Sequence, residues 1–208
     1  MSERALISDF GGVLTSPLQH GFLAYQEESG VSLEELGRAM ANATEEHGDH
    51  PLFVLERGEI SEREFRARVE RHLEDDFDLQ RLRSLYFAHL EPNAPMIELV
   101  RELRGDGVRT ALLTNNVREW EPLWRAKLRE IDELFEVVVD SAFVGMRKPD
   151  PGIFELTLER LGGSVTAADC VFVDDLELNC EAARALGMHA IRFVSAEQAI
   201  PLIRSALA

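Results

Sequence analysis

Five side chains in this sequence have the types and the placement to do chemistry together. Asp9 follows the apolar run Ala5-Leu6-Ile7, and Thr114 closes the run from 110 to 114. Lys148 comes shortly after Val137-Val138-Val139, and Asp174-Asp175 follow Val171-Phe172-Val173. If each run is a strand of one open parallel sheet, these residues converge beyond its carboxyl edge, where such sheets bind ligands. Three carboxylates brought together repel one another unless a cation sits between them. Mg²⁺, with hard oxygen ligands and several retained waters, fits that edge best. Thr114 and Lys148 can then hold an anion on the far side of the metal. A metal, an anion pocket and a carboxylate nucleophile describe phosphoryl transfer through an aspartyl-phosphate.

The elements that must position these groups follow from patterning. Residues 5–7 read as a buried strand, stopped by the turn signal Gly11-Gly12. From 15 to 92 nothing reads as a strand. Ser32-Leu33-Glu34-Glu35 and Ser61-Glu62-Arg63-Glu64 are capping boxes that each open a helix. Phe65, Val69 and Leu73 recur four apart as one apolar stripe, and Leu79, Leu82, Leu85, Tyr86 and Leu90 suggest another. Beyond Pro92 helix and strand alternate. Helices over 95–104, 117–129, 151–161 and 179–186 precede strands over 110–114, 137–140, 170–174 and 189–193. Continuous Val, Leu and Phe in those strands predict a parallel sheet covered on both faces. The fold class is therefore α/β.

Composition removes other classes. The 208 residues carry 38 acidic and 22 basic side chains, a net charge of -16. So acidic a chain is a poor nonspecific binder of nucleic acid or of an anionic membrane. No apolar run approaches the roughly 18 residues needed to span a bilayer, and the first residues have no signal-peptide pattern. Cys170 and Cys180 are too few for a disulfide scaffold and have no metal spacing; a reducing cytoplasm is the expected location, with both thiols in the core. Residues 15–92 hold 17 acids and 8 bases, so more than half of the net charge lies on the helical segment. At the proposed site one Mg²⁺ and Lys148 would bring the local charge of Asp9, Asp174 and Asp175 from -3 to zero.

Four segments, taken in order, resemble the haloacid dehalogenase (HAD) superfamily across the whole chain. Asp9-Phe10-Gly11-Gly12-Val13-Leu14 is similar to its first motif, Thr114 in LLTNN to its second, Lys148 in RKPDPGIF to its third and Asp174-Asp175 with Asn179 to its fourth. The words LERGEISEREF and VFVDDLELNCEAARALG resemble the branch that holds the phosphatase domain of soluble epoxide hydrolase. The resemblance implies a Rossmann-like core of five strands, formed by 1–14 and 93–208, with the Asp9 strand at its centre. It also implies an all-helical cap inserted at 15–92, and a small phosphorylated substrate. Asp9 would be the nucleophile. Thr114, Asn115 through its backbone N–H, and Lys148 would bind the phosphoryl group. Asp9, the Gly11 carbonyl, Asp174 and Asp175 would hold Mg²⁺, with Asn179 orienting the ligands.

Lys148 is one of only two lysines in an arginine-rich chain. A compact ammonium can touch both Asp9 and phosphoryl oxygens where a planar guanidinium fits less well. Asp150-Pro151 behind it reads as an N-cap with proline at the first helical position. Lys127 and His20 read as surface residues. The turn Arg57-Gly58 is expected to face the site.

One departure limits the resemblance. Most phosphatases of this family carry a second aspartate two residues after the nucleophile, and here that position is Gly11. A general acid/base contributes roughly 10²–10⁴-fold. Three readings stay open. A phosphatase would need a good leaving group, or a proton from water or a cap residue. A haloacid dehalogenase needs no proton, but such relatives lack the Asp-Asp pair. A catalytically weak domain would bind a phosphorylated ligand or a protein partner without turnover. The intact Asp9, Thr114, Lys148, Asp174 and Asp175 set favours the first.

Overall fold

In the computed structural model, residues 3–17, 19–73 and 77–208 are described. The five apolar runs form one sheet of β1 (Ala5–Ser8), β2 (Arg109–Thr114), β3 (Val137–Asp140), β4 (Cys170–Asp174) and β5 (His189–Arg192). Their order is β3-β2-β1-β4-β5, and every pairing is parallel. The Asp9 strand is thus central, and its register sets Ser8 beside Leu112 and Val173. The Asp9 N–H extends the ladder one step, donating to the Val173 carbonyl at 2.9 Å.

A central strand covered on both faces must be apolar at every position, which is why Ala5, Leu6 and Ile7 do not alternate. Leu6, Leu112, Val171 and Val173 join one buried cluster, while Ile7, Ala111, Leu113 and Phe172 join another on the opposite face. Phe172 meets Phe154 edge to face at 5.3 Å. Truncating so buried a ring to alanine costs about 3–5 kcal/mol.

The segment between β1 and β2 begins with α1 (Gln19–Ser29), α2 (Leu33–His47), α3 (Pro51–Glu56), α4 (Glu62–Glu70) and α5 (Leu79–Ala88). Ser32 and Glu35 form the full capping box of α2. At α4 only half of the expected box forms. Ser61 accepts from the Glu64 N–H, while the Glu64 carboxylate pairs with Arg68 one turn on. Both ends of the segment are tied together where they leave the sheet. Thr15 bridges Pro92, Ser16 N–H donates to the Glu91 carbonyl at 2.7 Å, and Asn93 N–H donates to the Leu14 carbonyl at 2.8 Å.

The remaining helices are α6 (Ala94–Gly105), α7 (Glu121–Lys127), α8 (Ile131–Leu134), α9 (Ser141–Val144), α10 (Pro151–Leu161), α11 (Glu177–Ala185) and α12 (Ala196–Leu207). The single helix expected over 117–129 is divided. A 3₁₀ turn at Arg118–Trp120 precedes α7, and Leu128 breaks the run with φ -135° and ψ 85°. Pro122 explains the late start, because proline fits only the first turn of a helix. Beyond β2, three helices lie outside the sequence expectation: α8, α9 and α12. Asp150 caps α10 through the Gly152 N–H, with Pro151 in its first turn. Among the described residues no helix is long and apolar enough to cross a membrane.

Candidate active site

The carboxyl edge of the sheet opens into a pocket of about 370 Å³. Asp9, Gly11, Thr114, Asn115, Lys148, Asp175 and Asn179 line it, and Asp174 lies fully buried against it. The structure therefore brings together the residues nominated as nucleophile, phosphate ligands and metal ligands. Asp9 follows β1, Thr114 ends β2 and Asp174 ends β4, while Lys148 lies in the loop after α9 and Asn179 in α11. Thr114 itself is buried.

Lys148 is 1% exposed and is the hinge of the charge arrangement. Its Nζ donates to Asp9 Oδ1 at 2.7 Å and to Asp174 Oδ2 at 2.6 Å. Asn115 holds the lysine backbone in place with both amide atoms. Its Nδ2 donates to the Lys148 carbonyl at 3.0 Å, and its Oδ1 accepts the Lys148 N–H at 2.8 Å. That side chain is therefore committed, and a phosphate would meet Asn115 through its backbone. Asp174 is almost saturated as well. Its Oδ1 accepts from Leu176 N–H at 2.9 Å and from Asn179 Nδ2 at 3.0 Å, leaving one lone pair on Oδ2. Asp175 is the less buried carboxylate of the pair and faces the pocket.

Carboxylates dominate the electrostatics of the site. Carboxylate oxygens of Asp9, Asp174 and Asp175 lie within 4.8 Å of one another. Burial pushes the Asp9 carboxyl up to about 7; Lys148 pulls it down, and the Asp174 and Asp175 charges raise it further. Burial, then Asp174, also raises Asp175. Lys148 is held well above the usual lysine range by Asp174 and Asp9, although burial alone would lower it. One ammonium among three carboxylates leaves a net negative, all-oxygen donor set, which suits a divalent cation such as Mg²⁺. Gly12 belongs to this geometry too. Its φ is 80°, and a Cβ there would stand 2.6 Å from Asp175 Oδ2. Only glycine lets the first loop turn so close to that carboxylate.

The segment 15–92 supplies four further lining residues: Pro17, Gln19, Glu56 and Tyr86. Arg57, expected to face the site, turns away instead to pair with Asp49 and Glu59. The Gly58 backbone packs against the Ala142 carbonyl. The neighbouring Glu56 is what enters, and it pairs with Arg147 Nε at 2.7 Å. Arg147 in turn stacks over the Phe53 ring at 3.9 Å. Burial raises the Glu56 carboxyl, against the pull of Arg147. The Tyr86 phenol is held protonated well above its usual range by burial, then by the Asp9, Glu56 and Asp175 charges. His20 is exposed and outside the pocket lining, and Lys127 is partly exposed. Cys170 and Cys180 are free, buried thiols pushed up to about 12 by burial.

A family model for haloacid dehalogenase-like hydrolases matches residues 3–187, and the chain belongs to that family. It is 33% identical to a phosphatase of Mycobacterium tuberculosis over 91% of this chain and 87% of that protein. It is 30% identical to acyl-CoA dehydrogenase family member 10 of Mus musculus, over 99% of this chain but 19% of that protein. Bifunctional epoxide hydrolase 2 of Sus scrofa is 28% identical over 92% of this chain and 36% of its own length. The chain thus spans only a fifth to about a third of these last two relatives. The fold is shared with a HAD family enzyme of Bacteroides thetaiotaomicron solved with magnesium and inorganic phosphate. The match has a TM-score of 0.67 and 23% identity, and covers 91% of this chain and 93% of that one.

Proposed function

We propose that this chain is a Mg²⁺-dependent phosphatase of small phosphorylated metabolites, working through an aspartyl-phosphate at Asp9. The observation that carries the reading is the buried Asp9–Lys148–Asp174 array, with Asp175 open beside it at the sheet edge. Asp9, Asp175 and the Gly11 carbonyl would hold the metal, with Asp174 assisting through its remaining lone pair. When bound, Mg²⁺ supplies the positive charge that lets an anionic substrate approach three carboxylates. The relatives that are phosphatases, and the Bacteroides enzyme crystallised with magnesium and phosphate, support this reading.

The steps assigned to the chain's own residues are these. An Asp9 carboxylate oxygen attacks phosphorus in line, and the bond from phosphorus to the leaving oxygen breaks with its electron pair. Lys148 and Thr114, with the Asn115 backbone N–H, steady the equatorial oxygens. Water then attacks the aspartyl-phosphate at phosphorus and frees inorganic phosphate and the Asp9 carboxylate. The residues 15–92 act as a cap that excludes water, with Glu56–Arg147 joining it to the core.

Gly11 carries no acid, so the leaving oxygen departs as a stable anion or takes a proton from elsewhere. We assign that donation to the Tyr86 phenol, which lines the pocket from the helical segment and is kept protonated by burial. A haloacid dehalogenase remains the weaker reading, because displacing halide from carbon needs no divalent metal and so gives the Asp174-Asp175 pair no work. The test is phosphate release from acetyl phosphate with Mg²⁺ and with chelator, in the native chain and in Asp9→Asn. Activity confined to native chain plus Mg²⁺ supports the reading. Release that survives Asp9→Asn or chelation contradicts it.

A further inference from the structure

A second cavity, of about 190 Å³, opens inside the helical segment beside the catalytic pocket. All five helices α1 to α5 contribute to its walls, and the loop after β2 forms its floor. Phe22, Met40, Leu52, Phe65, Leu82 and Trp120 give it an apolar interior. Several of the polar groups around it are already engaged. Trp120 Nε1 donates to Glu62, and Asn116 Oδ1 accepts the Val117 N–H at 2.9 Å. Both Asn115 amide atoms hold the Lys148 backbone, and Glu56 is paired with Arg147. Ordered water needs about two to four polar partners, so this space suits hydrocarbon rather than water.

Its position gives it a purpose. Glu56, Tyr86, Asn115 and Asn116 line this cavity and the catalytic pocket alike. A molecule whose phosphate sits against Asp9 can therefore extend past Tyr86 into the apolar space. An unused void of this size destabilises a fold, and well-packed interiors keep few of them. We propose that the cavity holds the hydrocarbon tail of the substrate, so that the preferred substrates are phosphorylated molecules with an apolar chain or ring. An engineered apolar cavity of about 150 Å³ takes up benzene, so this one suits roughly six to eight carbons. The inference rests on the phosphatase reading above and names its substrate class.

Acyl phosphates from acetyl to decanoyl test it, because the leaving group stays a carboxylate while only the tail grows. With Mg²⁺ present, kcat/KM rises roughly fourfold for each buried methylene and stops rising at about six to eight carbons. n-Alkylphosphonates, which cannot be hydrolysed, show the same chain-length dependence as competitive inhibitors or by calorimetry. Met40→Trp, which fills the space, moves the optimum to shorter chains, and Leu82→Ala, which enlarges it, moves it to longer ones. A merely structural role for either residue would not move the optimum in opposite directions. Equal kcat/KM for acetyl and octanoyl phosphate overturns the tail site and leaves the phosphatase reading intact. Folded variants that leave the optimum in place overturn it as well. Hydrolysis of no acyl phosphate strikes the phosphatase reading instead, and the alkylphosphonate series then decides the cavity by itself.

Discussion

Gly12→Ala separates the backbone demand of the first loop from the role of Asp175. At φ 80° the backbone is left-handed, and an L side chain there costs about 1–2 kcal/mol. For a chain of this size that lowers Tm by roughly 2–8 °C. The new methyl also stands 2.6 Å from Asp175 Oδ2 and 3.0 Å from its Cγ. Contacts below 3.0 Å are not sustained, so the carboxylate must retreat by roughly 0.4 Å. Mg²⁺ demands near-ideal octahedral geometry and tolerates such a shift poorly. Half-saturating Mg²⁺ should therefore rise roughly 10–100-fold, the range seen when groups around a metal are disturbed. Gly30→Ala is the control, because Gly30 has the same φ of 80° and nothing within 4 Å of its added Cβ. Both variants should lose similar stability by thermal melt, and only Gly12→Ala should change the Mg²⁺ titration of acetyl phosphate hydrolysis. An unchanged titration would refute Asp175 as a metal ligand. A melt unchanged in both would refute the backbone argument.

Asp140 gives a pH prediction away from the metal. Burial pushes its carboxyl up to about 6, against the Ala142 N–H that favours the charged form. The native state then holds a proton that the unfolded chain releases near 4, so this group's contribution to stability falls as pH rises from about 4 to about 6. Asp140→Asn should therefore look better at pH 7 than at pH 4.5, by roughly 2 kcal/mol in urea unfolding. Any fixed cost of the buried amide cancels in that difference, and a pH-independent offset would be contrary. Gly11→Asp should raise turnover of alkyl phosphates by roughly 10²-fold or more, with little change for acyl phosphates. Gly11 is not among the glycines with positive φ, so its backbone admits a side chain; equal gains for both leaving groups would show that proton transfer is already supplied. Tyr86→Phe should slow alkyl phosphates more than acyl phosphates in kcat, and equal slowing would make Tyr86 a packing residue only.

The sheet and its edge were legible because burial on both faces forces uninterrupted apolar runs, and a polar residue at the end of each run is conspicuous. Asp9, Thr114 and Asp174 were found that way. Lys148 stood out by type, as a rare lysine in an arginine-rich chain. Glu56 and Tyr86 gave no such signal. Tyr86 reads as one more member of the apolar stripe of α5, and Glu56 as a charged residue at the end of a short helix. Only the packing of the helical segment onto the loops after β2 and β3 turns them inward. Arg57, marked by the turn Arg57-Gly58, was the more visible residue and is the one that faces away. The division of the helix over 117–129 showed only in Pro122, which fits the first turn of α7 but not the interior of a helix begun at 117. α12 carries a readable cap, with Ser195 accepting the Gln198 N–H, but Pro201 inside it argues against a helix. The apolar cavity was invisible in sequence, since its residues are ordinary core residues whose side chains do not quite meet.

The most direct test of the central claim is an acid-quenched single turnover with Mg²⁺ and a good phosphoryl donor, followed by peptide mapping. The account predicts phosphate on Asp9, labile to hydroxylamine as an acyl phosphate must be, and absent from Asp9→Asn. Turnover with no covalent phosphate on any peptide, or with phosphate on another residue, would contradict it.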